Sequence, residues 1–303
     1  IEMTQTDSGW SVPVKLSPGK YLYKFIVDGN WIVDPDNTGI EFDGEGNTNS
    51  VYYSANTTFK LDGFTNAKRV VLSGSFNDWQ ESKLRMSKTA SGWELPVLLN
   101  NGTYTYRFIV DNRWMIDPAN PTKFPNEFGE TNSVISVGKS TLFILDGYTE
   151  GKSVYLTGSF NQWRNFELAM TKTATGWQVP YVLGPGNYEY KFYADGKWLN
   201  ANGTIINHNM PGSIFVIEPN YTFRLKNMPN AKKVILAGDF NDWSPNAYVM
   251  EKEGNDWIFK VHLSTGKHLY KFVVDGNWIR DPGNTLWEQN EFSTGNSIVW
   301  KEE

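Results

Sequence analysis

The chain has 303 residues, a net charge of −5, no cysteine, and aromatic side chains at 15% of its positions, 13 of them Trp. An acidic surplus argues against a nucleic-acid partner, which needs clustered Lys and Arg, and the missing thiols exclude disulfides and thiolate metal sites. No stretch nears the roughly eighteen apolar residues of a membrane-spanning helix, so no membrane insertion is expected.

Taken in order, the chain repeats itself. The first segment opens with the alternation Trp10-Val12-Val14-Leu16, which period-2 spacing places on one core face. A Pro18-Gly19 turn follows, then a strand with Tyr23, Phe25 and Val27 inward and Lys24 and Ile26 outward. Asp28-Gly29 between apolar runs predicts a type I′ hairpin, with Trp31 on the return strand and Asp34-Pro35 beyond it.

The second segment begins near Asn56 with the strand Thr58–Leu61 and adds the phrase Ser75-Phe76-Asn77-Asp78-Trp79. It then runs through Trp93-Leu95-Val97-Leu99, Tyr106-Arg107-Phe108, the Asp111-Asn112 turn, Trp114 and Asp117-Pro118. The third repeats this as Thr141–Ile144, Ser159-Phe160-Asn161-Gln162-Trp163, Trp177-Val179-Tyr181-Leu183, Tyr190-Lys191-Phe192, Asp195-Gly196 and Trp198. There Asn200-Ala201 replaces the Asp-Pro pair. The fourth offers Tyr221–Arg224, Asp239-Phe240-Asn241-Asp242-Trp243, Trp257-Phe259-Val261-Leu263, Tyr270-Lys271-Phe272, Asp275-Gly276, Trp278 and Asp281-Pro282.

A period this long marks an array of modules. Short alternating strands without amphipathic helices predict an all-β fold. The expected modules are 1–55 (the C-terminal half of one), 56–138, 139–219 (degenerate) and 220–303. No Gly/Ser-rich or Pro-rich linker separates them, so end-to-end packing is expected. The first segment lacks the leading strands and the Phe-Asn-Asp-Trp phrase, and half a sandwich leaves unpaired edges and an open core. It reads as part of a longer precursor, completed by missing residues, a partner chain or a neighbouring module.

Trp10, Trp93, Trp177 and Trp257 each begin a clean alternation and are assigned to cores. Trp79, Trp163, Trp243 and the Trp31 set stand among polar loop residues and are assigned to the surface, with core packing as the rival. Asn77, Asn161 and Asn241 read as loop braces. The repeated Asp28, Asp111, Asp195 and Asp275 are explained by hairpin chemistry. Glycoside cleavage needs two carboxylates facing one bond, and no pair stands apart from the scaffold. His208, His262 and His268 form neither a Ser-His-Asp arrangement nor a metal cluster. The chain therefore reads as a binder without catalytic residues, metal or cofactor.

These phrases, in this order and repeated, resemble carbohydrate-binding module family 48 and the glycogen-binding domain of the β subunit of AMP-activated protein kinase. The resemblance spans nearly the whole chain. It implies tandem early-set immunoglobulin-like β-sandwiches that bind α-1,4-glucans such as glycogen and starch, without catalysis of their own, as an appendage of a larger protein. It also implies the sugar-contacting residues. One tryptophan is Trp79, Trp163 or Trp243, and the other is Trp31, Trp114, Trp198 or Trp278. The lysine is Lys24, Lys191 or Lys271, with Arg107 in the second module. The asparagine is Asn49, Asn132 or Asn296, and its place in the third module falls near Gly212. The third module is thus expected to bind weakly or not at all.

The chemistry agrees. A pyranose lays its apolar C–H face on an indole, while its hydroxyls need donors and acceptors at the rim. Xylan or another β-linked chain remains a rival ligand, and a structural or protein-interaction array a rival class. A secreted or cell-surface setting is favoured, although sequons at Asn56, Asn101, Asn202 and Asn220 do not settle it.

Overall fold

The computed structural model describes residues 1–44, 46–126 and 128–302; Glu303, the last residue of the expected fourth module, lies outside them. The described residues are all-β, with antiparallel strands and three short 3-10 turns. They divide into two compact units. One comprises Ile1–Asn100, Tyr104–Lys123 and Asn132–Ile135; the other comprises Asn101–Thr103, Phe124–Thr131 and everything from Ser136 onward.

The fourth repeat shows the sandwich. Its smaller sheet runs in the order Tyr221–Leu225, Asp256–Val261, Glu251–Glu253. Its larger sheet runs in the order Tyr248–Val249, Val234–Gly238, Gly266–Val274, Asn296–Lys301, Trp287–Glu288, with Asn277–Ile279 also paired to Gly266–Val274. Alternation turns Phe223, Leu225 and Trp257 of one sheet toward Leu236, Tyr270 and Phe272 of the other. The third repeat packs Phe143, Leu145 and Trp177 against Leu156, Phe192 and Leu199 in the same way.

The core tryptophans are explained by their polar handles as well as by area. Trp93, Trp177 and Trp257 are only 5–7% exposed, and each indole N–H reaches a loop carbonyl: Phe64 O (3.1 Å), Tyr148 O (3.0 Å) and Met228 O (3.1 Å).

Trp10 corrects the expectation. It is 64% exposed, on the short hairpin Thr4–Thr6 with Gly9–Ser11, and Val12, Val14 and Leu16 form no strand. The Tyr-Lys-Phe strand is also broken here, into Gly19–Tyr23 and Phe25–Val27, whereas Gly102–Val110, Gly186–Ala194 and Gly266–Val274 are continuous. In those repeats the second half of the strand pairs with Val70–Gly74, Val154–Gly158 or Val234–Gly238. The first repeat has no described counterpart, and Leu22, Ile26 and Val27 are exposed.

The hairpins have positive φ at both central residues, as at Asp275 (47°) and Gly276 (89°), which is the type I′ signature. Their aspartates do more than turn the chain. Asp111, Asp195 and Asp275 accept backbone N–H groups from Lys68 and Arg69, Lys152 and Ser153, and Lys232 and Lys233. The amide of Asn56 clamps the backbone of Leu99, and that of Asn220 clamps Leu263.

Candidate functional site

Each complete repeat lifts a tryptophan off the end of a strand by the same device. In the fourth, Val234–Gly238 runs into the 3-10 turn Asp239–Asn241, and Asp242 and Trp243 both take left-handed backbone, with φ of 52° and 55°. Trp79 and Trp163 do likewise at 56° and 61°. Left-handed residues with side chains cost about 1–2 kcal/mol each, so the turn must be held from outside. Asn241 Oδ1 accepts Gly238 N–H (2.9 Å) and Trp243 N–H donates to Gly238 O (2.9 Å). Asn77 and Asn161 brace their turns in the same way. Gly238 itself has no room for a side chain, because a Cβ would lie 2.6 Å from Leu269 O.

The result is an indole laid over Ile235, Ala237 and Val273 on the outer sheet face. Beside it, Trp278 rises on Asn277–Ile279 opposite Val273 and is 44% exposed. Lys271 points outward from the neighbouring strand opposite Ala237, and Asn296 opens the last strand. Trp243, Trp278, Lys271 and Asn296 line one cavity of about 690 Å³.

That cavity is polar at its floor. Lys271 is only 5% exposed and donates to Thr294 Oγ1 at 2.5 Å. Burial first, and the charge of Arg280 second, hold its ammonium below the usual lysine range. Asn290 ties the loop together, accepting from Thr294 N–H (3.0 Å) and donating to Asn296 Oδ1 (3.0 Å).

Several lining residues escaped sequence reasoning. Phe292 is 74% exposed at the rim, with Leu269, Asn290 and Thr294 also around the cavity. A signal existed: Asn-Glu-Phe recurs at 126–128 and 290–292, with each Phe four residues before the predicted asparagine. The Asp-Pro pair also has a job that spacing alone did not show. Tyr270 O–H donates to Asp281 Oδ2 (2.7 Å) and accepts from Asn284 Nδ2 (3.0 Å), pinning the chain after Trp278. Tyr23 with Asp34 and Tyr106 with Asp117 repeat this brace.

The second repeat brings Trp79 and Trp114 together at 6.1 Å between centroids, tilted 49°. Arg107 stands at the lysine position opposite Ser73, and Asn132 is buried. In the first repeat Trp31 is 69% exposed, with Lys24 and Asn49 half-buried, and no partner tryptophan from a Phe-Asn-x-Trp phrase exists there.

The third repeat departs most. Lys191 Nζ lies 5.0 Å from the Trp163 ring and 5.8 Å from the Trp198 ring, and donates to His208 O at 2.8 Å. At the asparagine position, a Cβ on Gly212 would sit 2.5 Å from Tyr190 O. One alignment needs correction. Ala201 N–H donates to Ser213 Oγ (2.9 Å) just as Asp117 and Asp281 N–H do to Ser133 and Ser297, so Ala201-Asn202, not Asn200-Ala201, stands in place of Asp-Pro.

His268 corrects another expectation, since it does sit between Asp239 (3.1 Å) and Ser264 Oγ (3.3 Å). Its Nε2 is nearer Ser264 O, at 2.8 Å. Both ring nitrogens thus face acceptors, Nδ1 the Asp239 carboxylate and Nε2 the Ser264 carbonyl, which is not the geometry of a base aimed at the Ser264 hydroxyl. The arrangement is a brace, equivalent to the Tyr104 and Tyr188 hydroxyls on Asn100 O and Gly184 O.

The family model for the glycogen recognition site of AMP-activated protein kinase matches residues 1–62, 55–144, 140–217 and 221–302. The chain belongs to this family. Among individual relatives, the mouse (Mus musculus) 5'-AMP-activated protein kinase subunit beta-1 is 32% identical over 106 residues, 35% of this chain and 37% of that protein. The Homo sapiens subunit beta-2 is 35% identical over 68 residues, 22% of this chain and 24% of that protein. The matches thus span little more than a third of those relatives at most. Solved structures that match in part include the maltogenic amylase from S. marinus, at 15% identity and a TM-score of 0.25, covering 60% of this chain and 30% of that one. Another is the glycogen-degrading pneumococcal virulence factor SpuA, at 11% identity and a TM-score of 0.21, covering 80% and 40%. Superpositions this loose carry no weight for fold or function.

Proposed function

We propose that the chain is a non-catalytic binder of α-1,4-glucan, such as glycogen or starch. Modules 56–138 and 220–303 supply the principal sites. The observation that carries this reading is the convergence of Trp243, Trp278, Lys271 and Asn296 on one open cavity. Two indoles offer flat apolar faces, while the ammonium and the amide answer hydroxyls at the rim. Each stacked ring adds about 0.5–1.5 kcal/mol, so a single module binds modestly and tethered modules gain by making later contacts intramolecular.

The third module, 139–219, is the weakest by this route, because its own lysine fills the space between its indoles. The first, 1–55, keeps Trp31, Lys24 and Asn49 but presents an open apolar face suited to strands like Thr57–Asp62 and Val70–Gly74. A peptide of residues 57–91 added in trans should then slow hydrogen exchange across Phe25–Val27, the half-strand whose sisters pair with Val70–Gly74 and its equivalents, and unchanged exchange refutes that seat.

The decisive experiment is affinity electrophoresis of the chain through gels with and without glycogen, beside the Trp243→Ala/Trp278→Ala variant. Retention that falls in the variant supports the reading. Equal mobility in both gels for the parent chain rejects it. Titration with maltoheptaose, xylohexaose and cellohexaose, followed by Trp fluorescence, separates α-linked from β-linked ligands.

A further inference from the structure

The third repeat carries a row of aromatic side chains that neither sister repeat has. Cross-strand register places Ala169, Tyr155, Tyr193, Trp198 and Ile206 side by side across the outer face of its larger sheet. The matching rows are Arg85, Val71, Ile109 and Trp114 in the second repeat and Val249, Ile235, Val273 and Trp278 in the fourth. There the two central members of each row are buried, with Val71, Ile109, Ile235 and Val273 at most 5% exposed. In the third repeat Tyr155 and Tyr193 are only half-buried. Phe166 stands over them where Ser82 and Asn246 occupy the other repeats, and it is 62% exposed.

The four rings form a continuous chain. Tyr155 meets Phe166 at 5.2 Å and 81°, Phe166 meets Tyr193 at 5.4 Å and 89°, and Tyr193 meets Trp198 at 5.1 Å and 60°. Successive edge-to-face contacts hold the rings rigidly, so little side-chain entropy remains to be lost on binding. The row contains no charged side chain and offers two phenol hydroxyls as polar handles. That combination suits a neutral polyol with apolar ring faces.

We propose that the third repeat binds α-glucan on this Tyr155–Phe166–Tyr193 surface, continuous with Trp198, instead of between Trp163 and Trp198. The inference rests on the glucan reading of the other repeats. The ordinary place is filled by Lys191, tethered to His208 O and lying against both indoles, and the asparagine is replaced by a glycine that tolerates no side chain. Trp198 belongs to both arrangements, so the site has moved across the sheet without leaving it. The aromatic surface missing from one side reappears on the other.

The test uses the full chain with the other repeats silenced by Trp31→Ala, Trp79→Ala, Trp114→Ala, Trp243→Ala and Trp278→Ala, run through amylopectin gels. All five side chains point outward from the sandwich faces, and circular dichroism checks that the silenced chain stays folded. The expected result is residual retention, weakened about tenfold by Phe166→Ser with Tyr193→Val and unaffected by Trp163→Ala. Ser stands at the first position in the second repeat and Val at the second position in the fourth, and Phe166→Ser alone, at an exposed site, should act in the same direction. No residual retention in the silenced chain overturns the proposal, as does retention that survives the Phe166 and Tyr193 changes or is lost with Trp163→Ala. Failure of the unsilenced parent chain to be retained would instead sink the glucan reading itself.

Discussion

Lys191 and Lys271 occupy the same strand position in successive repeats, yet their ammonium groups go to different places. Lys271 reaches down to Thr294 Oγ1, leaving Trp243 and Trp278 open to their cavity. Lys191 is drawn toward His208 O and lies against Trp163 and Trp198. The cause lies in the loop each meets: a threonine hydroxyl fixed by Asn290 in one case, a bare backbone carbonyl in the other.

Removing both indoles of the fourth repeat should weaken its glucan binding by about 1–3 kcal/mol, roughly fivefold to somewhat over a hundredfold. Trp278→Ala is the cleaner single change, because Trp243 also covers Ile235 and Val273. Isothermal titration with maltoheptaose reads the loss, and an unaltered Kd for the double variant would count against the site.

Lys271→Met should move two readouts in opposite directions. Burial lowers the ammonium's pKa in the folded chain, so folding carries a penalty while the group is charged. That penalty is present below the folded-state pKa and is relieved as pH rises toward the unfolded value. The variant is therefore expected to melt higher at pH 7 and to bind maltoheptaose more weakly. A fall in both would reassign the lysine to a purely structural role.

Lys191→Ala should uncover the indoles of the third repeat. Cation–π contacts of this kind are worth about 0.5–2 kcal/mol, which a sugar competing for the same ring faces must displace. Measured in the chain silenced at the other repeats, maltoheptaose is expected to quench Trp fluorescence more deeply after the substitution. Equal quenching would show that the lysine is no obstacle.

Gly212→Asn is not expected to restore the missing amide. The new Cβ would meet Tyr190 O at 2.5 Å, so backbone must shift at a cost of about 1–3 kcal/mol. Thermal melting should fall with no gain in retention; a stable variant with tighter binding would refute the steric account.

Asp195 links stability to acid. The N–H groups of Lys152 first and Ser153 second hold its carboxyl below the ordinary aspartate value. Its stabilising contribution is thus present above the unfolded-state pKa and disappears as pH falls through the folded one. Asp195→Asn should lower Tm at pH 7, with the gap to the parent closing in strong acid. A gap that stays constant with pH would exclude this linkage.

Much of the architecture was legible because it rests on local rules. Asp-Gly turns, period-2 faces and the recurring phrases place Trp243, Trp278, Lys271 and Asn296 within reach of one another before any coordinates are seen. Features set by backbone partners were not legible. Alternation marked Trp10 for a core, but whether a covering strand is present cannot be read from the alternation itself. The register after Trp198 was in fact legible from spacing, since each Asp stands three residues after its Trp in the other repeats, and the Ala201 N–H bond to Ser213 Oγ agrees with that count. The tyrosine–aspartate brace and the rim position of Phe292 depend on loops folding back across long stretches of chain.

The left-handed hook beneath Trp79, Trp163 and Trp243 is built by a glycine, an asparagine amide and main-chain atoms, none of which belongs to the indole it displays. The ring is therefore a fitting on a bracket that is built without it, constrained only by the apolar floor it covers. Grafting other aromatic tips onto it, each still covering the apolar floor beneath, offers a route to array proteins whose successive modules read different polymers while sharing one chassis.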